Sequence, residues 1–244
     1  MKILITGASS GLGAEFARQY AFGENELILL ARREHNLQEL QRELTPKCKN
    51  VEIIVVDVRD FKLLQEKIDA IGSVDMVILN AGISLGHSGE IPTIEEFQKL
   101  FDINVLANHA ILEVLMPKLR EQRSGKVVFI SSLASLFSMP SSKVYSSSKR
   151  ALNAYAEGIR YKYAPYGIKV INILPGFIKS ELTDKNDFAM PFLLGTQQGV
   201  TRMKKAIDKG REFYAFPLRF YLIIRFFNLL PSALSQRIVN YLNS

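Results

Sequence analysis

Lys2-Ile3-Leu4-Ile5-Thr6-Gly7-Ala8-Ser9-Ser10-Gly11-Leu12-Gly13 is the stretch that decides the fold. Ile3, Leu4 and Ile5 are apolar at successive positions, which suits a strand buried on both faces, as in a parallel sheet covered by helices. Glycines at 7, 11 and 13 then let the backbone turn tightly and approach a ligand closely. The helix that follows opens with unpaired N–H groups and the positive end of its dipole, which together suit a pyrophosphate.

Working outward, similar apolar runs recur at 27–31, 51–56, 74–79, 126–131 and 169–174, separated by segments of helical period. Asp60 is placed to cap a helix carrying Leu63, Leu64, Ile68 and Ile71, and Thr93 with Glu96 forms a capping box. Strict alternation of strand and helix predicts right-handed crossovers and a doubly wound α/β sheet, with ligand beyond the carboxyl ends of the strands. After Pro175 the pattern loosens. Residues 177–195, with Phe177, Phe188, Met190, Pro191, Phe192 and Leu193, read as a flap over an apolar substrate, followed by a basic helix near 196–209 and a short strand at 212–216.

The 244 residues are 48% hydrophobic and 23% charged, which suits one globular domain and excludes a disordered chain. One cysteine, Cys48, rules out an internal disulfide. The first residues read as a strand and not as a signal peptide, so the cytoplasm is the expected location, with the cytoplasmic face of the membrane as the alternative. Of the net charge of +7, residues 201–244 hold +6: eight Lys and Arg against Asp208 and Glu212. That end is expected to face something acidic.

The spacing Gly7-x-x-x-Gly11-x-Gly13 differs from the G-x-G-x-x-G of the long-chain dinucleotide fold. It resembles the T-G-x-x-x-G-x-G of the short-chain dehydrogenase/reductase family. The resemblance spans residues 1–216. It implies a Rossmann-type sheet of about seven strands in the order 3-2-1-4-5-6-7, a nicotinamide cofactor, a small carbonyl or alcohol substrate, and a homodimer or homotetramer. Gly7, Ser9, Ser10, Gly11, Leu12 and Gly13 are then cofactor contacts. The second strand ends in Arg32-Arg33, where an NAD site carries an acid for the ribose 2′-hydroxyl; two guanidinium groups predict NADP(H) in preference to NAD(H). Asp57-Val58 and Asn80-Ala81-Gly82 stand where family members meet the adenine and steady the sheet.

Tyr145 and Lys149 are four residues apart, so on a helix they share one face. Free tyrosine titrates near pH 10, and the neighbouring ammonium, together with the positively charged oxidised nicotinamide, is expected to bring it lower. The family's other positions are matched by Ser132, thirteen residues before the tyrosine, and by Asn104 in Phe101-Asp102-Ile103-Asn104-Val105. Pro175-Gly176-x-Ile178-x-Ser180 resembles P-G-x-x-x-T with serine replacing threonine. The implied roles are Ser132 binding the substrate oxygen, Tyr145 exchanging its proton, Lys149 holding the nicotinamide ribose, and Asn104 anchoring a relay water. Ser131, on the opposite face of its strand, is expected to be structural.

His35, His87 and His109 lack metal-ligand spacing, so no metal is expected. His87 reads as a solvated loop residue, and His109 as packed within its helix. Asn153, Tyr155 and Glu157 follow the tyrosine helix, where a subunit interface is the family habit. Residues 217–244 form an apolar, basic helical extension broken by Pro231, whose apolar run 218–230 is too short to span a bilayer. Three readings of it stay open: cover for the substrate cleft, a dimer contact, or peripheral contact with a membrane through 218–244. The basic segment lacks a nucleic-acid module. The whole reads as an NADP(H)-dependent carbonyl/alcohol oxidoreductase; the alternative is a non-catalytic NADP(H)-binding sensor or scaffold on the same fold.

Overall fold

The computed structural model describes residues 1–86, 90–184 and 190–242. Seven parallel strands form one sheet: β1 (Lys2–Thr6), β2 (Gly23–Ala31), β3 (Cys48–Val55), β4 (Met76–Leu79), β5 (Gly125–Ile130), β6 (Ile168–Pro175) and β7 (Phe213–Phe216), in the order β3-β2-β1-β4-β5-β6-β7. This is the order the resemblance implies. Side chains alternate across a strand, and both faces are covered. Ile3 and Ile5 pack with Phe16, Leu37 and Met203 on one face. Leu4 joins Leu64, Leu115 and Leu152 on the other. The first layer holds helices α1 (Gly11–Tyr20) and α2 (Glu34–Leu44), and the second α3 (Phe61–Ala70). Asp60 caps α3, accepting from the Leu63 amide at 3.1 Å.

Next come α4 (Ile94–Phe101), a π turn at Asp102–Leu106, and α5 (Ala107–Gln122). Thr93 and Glu96 form the expected capping box on α4. The continuous segment Ile94–Gln122 is long and apolar enough to cross a membrane, but more than half of its apolar 18-residue window is buried in this domain. The remaining helices are α6 (Lys143–Tyr163), α7 (Thr196–Asp208), α8 (Leu218–Phe227) and α9 (Ser232–Leu242).

Two boundaries differ from expectation. β3 opens at Cys48, three residues ahead of the apolar run at 51–56. β2 starts at Gly23, its pairing with β3 shifting register between Gly23 and Glu26. Pairing extends a strand past its apolar run, so polar Glu24 and Asn25 join β2 without a hydrophobic signal.

The turn after β1 leaves no room for side chains. Gly7 sits at φ +66, and a Cβ on Gly13 would lie 2.2 Å from the Gly7 carbonyl oxygen. Gly158, inside α6, faces open space. Gly13→Ala is therefore expected to destabilise by about 2–3 kcal/mol through overpacking against backbone, whereas Gly158→Ala gains up to about 1 kcal/mol of helix propensity. Urea unfolding of the two variants checks this; changes of the same sign would contradict it.

Candidate active site

A cleft of about 510 Å³ opens at the carboxyl ends of the strands. At one end stand Arg32, Arg33, Asp57 and Val58. Its floor is the turn carrying Gly7, Ser9, Ser10, Gly11 and Leu12, with Asn80, Ala81 and Gly82 beside it. The far end holds Ser132, Tyr145 and Lys149, and Pro175, Gly176, Ile178 and Ser180 complete the wall. Two of the residues nominated from sequence lie behind this lining. Gly13 is buried against Gly7, and Asn104 is fully buried.

The floor is built to receive an anion. The N-cap residue of α1, Ser10, makes no side-chain cap bond, and the first turn carries no acid, so the helix N-terminus is left for a ligand. Asn80 fastens the turn by donating its Nδ2 to the Thr6 carbonyl at 3.0 Å. Arg33 Nε donates to Ser9 Oγ at 3.2 Å, and its Nη2 to Ser10 Oγ. Sequence nominated these three residues separately; the fold gathers them into one cluster.

Glu181 was not foreseen. Its carboxylate pairs with Arg33 Nη1 at 3.0 Å and accepts from Ser10 Oγ at 3.1 Å. It lies 148 residues from its arginine, and no spacing rule joins them. Its only signal was its place directly after Ser180. Arg59 was missed too: it binds Asp57 at 2.8 Å, while Arg32 stands 3.9 Å away. The hydrogen bond from Arg59 holds the Asp57 carboxyl below the usual range, so the carboxylate stays an acceptor.

The far end is clamped by its second layer. The π turn adds a residue to the helix and swings Asn104 inward. Asn104 Oδ1 accepts from the Ile83 amide at 2.8 Å, and its Nδ2 donates to the Ile83 carbonyl and to Ser148 Oγ, both at 3.0 Å. Ser148 Oγ in turn donates to the Tyr145 carbonyl at 2.8 Å. Both amide hydrogens are thus spent on protein, so Asn104 ties the loop after β4 to the turn of α6 carrying the tyrosine. Ser131 Oγ donates to the Lys149 carbonyl at 3.2 Å, the structural role expected of it.

Lys149 is buried, donating from Nζ to the Ile130 carbonyl at 2.8 Å. Burial pushes its ammonium down to about 8. Its Nζ lies 5.8 Å from the centre of the Tyr145 ring. The Tyr145 phenol is pushed up by burial, opposed in part by a hydrogen bond with Ser132. Burial therefore sets the direction in the protein alone; the lowering expected from the sequence counted on the positive charge of an oxidised nicotinamide as well as on the ammonium.

His109 pairs through Nδ1 with the Tyr155 hydroxyl at 2.7 Å, joining α5 to α6. Asn153 bonds to Ser135 and Asn172, so it and Tyr155 are used inside the subunit. His87 and Phe188 lie outside the described residues, among which no group of three His, Cys, Asp or Glu is placed to hold a metal.

The short chain dehydrogenase family model matches residues 1–189. An uncharacterized oxidoreductase of Myxococcus xanthus is 34% identical over 235 residues, covering 95% of this chain and 93% of that one. Among solved structures, a short-chain dehydrogenase from Sphingobium yanoikuyae in complex with NADPH superposes with TM-score 0.83 at 24% identity, covering 89% and 88% of the two chains. One from Burkholderia phymatum in complex with NAD gives TM-score 0.83 at 22% identity, covering 92% and 91%. With more than half of its length matched by the family model, and with that sheet order, the chain belongs to the short-chain dehydrogenase/reductase family of oxidoreductases.

Proposed function

We propose that this oxidoreductase interconverts a carbonyl compound and an alcohol with NADP(H) as cofactor. The observation that carries the reading is one cleft with an arginine–serine cluster at one end and hydrogen-bonded Ser132 and Tyr145 hydroxyls beside a buried ammonium at the other. A nicotinamide dinucleotide fits this cleft: the capless N-terminus of α1 suits its pyrophosphate, and Gly82 leaves space beside Lys149 Nζ, where a Cβ would come within 3.4 Å. When bound, the nicotinamide supplies or takes up the hydride.

The chain's own residues manage the oxygen and the proton. Ser132 donates a hydrogen bond to the substrate oxygen, and Tyr145 gives that oxygen its proton in reduction or takes it in oxidation. Lys149 holds the ribose hydroxyls and adds positive charge beside the phenolate. Asn104 acts as a positioning residue, through Ser148 and the Tyr145 carbonyl. Phe177 and Phe192 both pack on Phe220, whose ring closes on Gly176 in the cleft wall, and this apolar corner favours an apolar substrate.

Tyr145→Phe removes the proton donor and should lower kcat at least about a thousandfold while cofactor affinity stays within about threefold. Steady-state turnover across a carbonyl panel and a fluorescence titration check both. Turnover near the wild-type rate would refute the assignment.

Lys149 carries a pH signature. Its ammonium falls from the usual 10.5 to about 8 on folding. Below about pH 8 the folded state therefore bears the full cost of the buried charge, and that cost fades as pH climbs toward 10.5. Lys149→Met should be more stable than the wild type by about 1–3 kcal/mol at neutral pH, with the advantage shrinking above pH 8. Denaturant melts at several pH values check this; a variant less stable at neutral pH contradicts it.

Cofactor choice turns on Glu181, which competes with a 2′-phosphate for Arg33. Glu181→Gln should tighten NADPH binding about tenfold through the released guanidinium and leave NADH nearly unchanged. Paired titrations decide, and a wild type that prefers NADH would overturn the NADP(H) reading.

A further inference from the structure

Helix α8 has two unlike faces. Its inner face closes the substrate end of the cleft. Phe220 stacks on Phe177 at 5.8 Å, Ile224 is buried with Leu133 and Leu174, and Phe227 meets Phe137 in the loop after Ser132. Asn228 Nδ2 then ties the helix end to the Leu136 carbonyl at 3.0 Å. The helix is therefore held on the domain from both sides of the active-site wall.

Its outer face is apolar and open. Leu218, Leu222 and Phe226 follow one another at four-residue steps, which at 100° per residue puts them on one stripe, and Leu229 follows in the turn just past the helix. Each is between 55% and 80% exposed. Arg219 falls along one edge of the stripe and Arg225 along the other, both exposed. From residue 213 to 244 the sequence holds no Asp or Glu. Charge selects among the possible occupants. A second copy seated on this stripe would bring its own arginines to the same rim, with no acid from either tail to meet them. A surface of anionic headgroups over hydrocarbon satisfies both parts: phosphates meet the arginines, and the stripe enters the acyl boundary while the arginine stems extend outward.

We propose that α8 is a monotopic docking helix that seats the substrate end of the cleft on an anionic lipid bilayer. One helix diameter, about 10 Å, then separates the lipid from Gly176 and the loop after Ser132. The substrate class that follows is a carbonyl or alcohol compound dissolved in the membrane. That last step rests on the oxidoreductase reading of the cleft; the docking itself does not.

The full chain is to be floated with vesicles of phosphatidylcholine alone, or of phosphatidylcholine mixed with phosphatidylglycerol. The expected result is co-flotation with the mixed vesicles, weakened by salt, and little with phosphatidylcholine alone. Leu222→Glu with Phe226→Glu should lower the bound fraction about tenfold, with NADPH binding retained as evidence of folding. Should that pair fail to fold, Arg219→Glu with Arg225→Glu at the exposed rim is expected to give the same loss. No flotation of the wild type on anionic vesicles overturns the proposal, as does flotation that survives these substitutions. A wild type that stays off vesicles but sediments as a dimer, with the Leu222/Phe226 pair monomeric, assigns the stripe to a second copy and also overturns it. None of these readouts depends on turnover, so failure of docking and failure of the proposed reaction are distinguishable.

Discussion

A lysine ammonium kept out of water is the constraint around which the rest of this molecule is arranged. Lys149 donates to the Ile130 carbonyl at the end of β5, and its buried charge costs stability at neutral pH. That cost is tolerable only because the sheet supplies several kcal/mol of apolar burial on both of its faces. The return is a fixed cation one helical turn from a phenol, at the edge where seven parallel strands end together. Everything chemical in the cleft is organised from that point, and the layer behind it exists to hold it still.

The holding layer explains why α6 does not drift. Ser131 reaches the Lys149 carbonyl, and Asn104 reaches the Tyr145 carbonyl through Ser148. One clamp comes from a strand end and the other from the π turn, so the two functional side chains are fixed by elements far apart in sequence. A rigid site matters here because a phenol misplaced by an ångström no longer meets the oxygen it must protonate. Burial without cofactor pushes the phenol the wrong way for base catalysis, so the protein alone is poised as a proton donor.

Much of this was legible in the sequence because it is written in local patterns. The apolar run before Gly7, the glycine spacing, the Tyr145–Lys149 interval and the arginines after β2 are each short-range signals with a direct geometric meaning. The capping residues Asp60 and Thr93 fell where side-chain chemistry alone put them. What stayed hidden was non-local or depended on a subtle backbone change. Glu181 meets Arg33 only after the sheet folds, and Arg59 competes for Asp57 only because a loop turns back. The residues of the π turn read as ordinary helix, so the commitment of both Asn104 amide hydrogens to protein was not visible. The tail was ambiguous for a physical reason. Its stripe and its buried face are both apolar, and only the fold shows which of Phe220, Ile224 and Phe226 are covered.

The most direct measurement follows the ultraviolet signature of phenolate during a pH titration, with and without oxidised NADP, comparing the wild type with Tyr145→Phe. The account predicts that buried tyrosines ionise above their ordinary range in the protein alone, Tyr20 and Tyr155 along with Tyr145, and that Tyr145 is the one the variant removes. With the positively charged nicotinamide bound, Tyr145 should ionise at least about two pH units lower, and that step should be missing in the variant. No ionisation moving when the cofactor binds, or a moved one that persists without Tyr145, would contradict the claim that the cleft's charges set the proton affinity of this phenol.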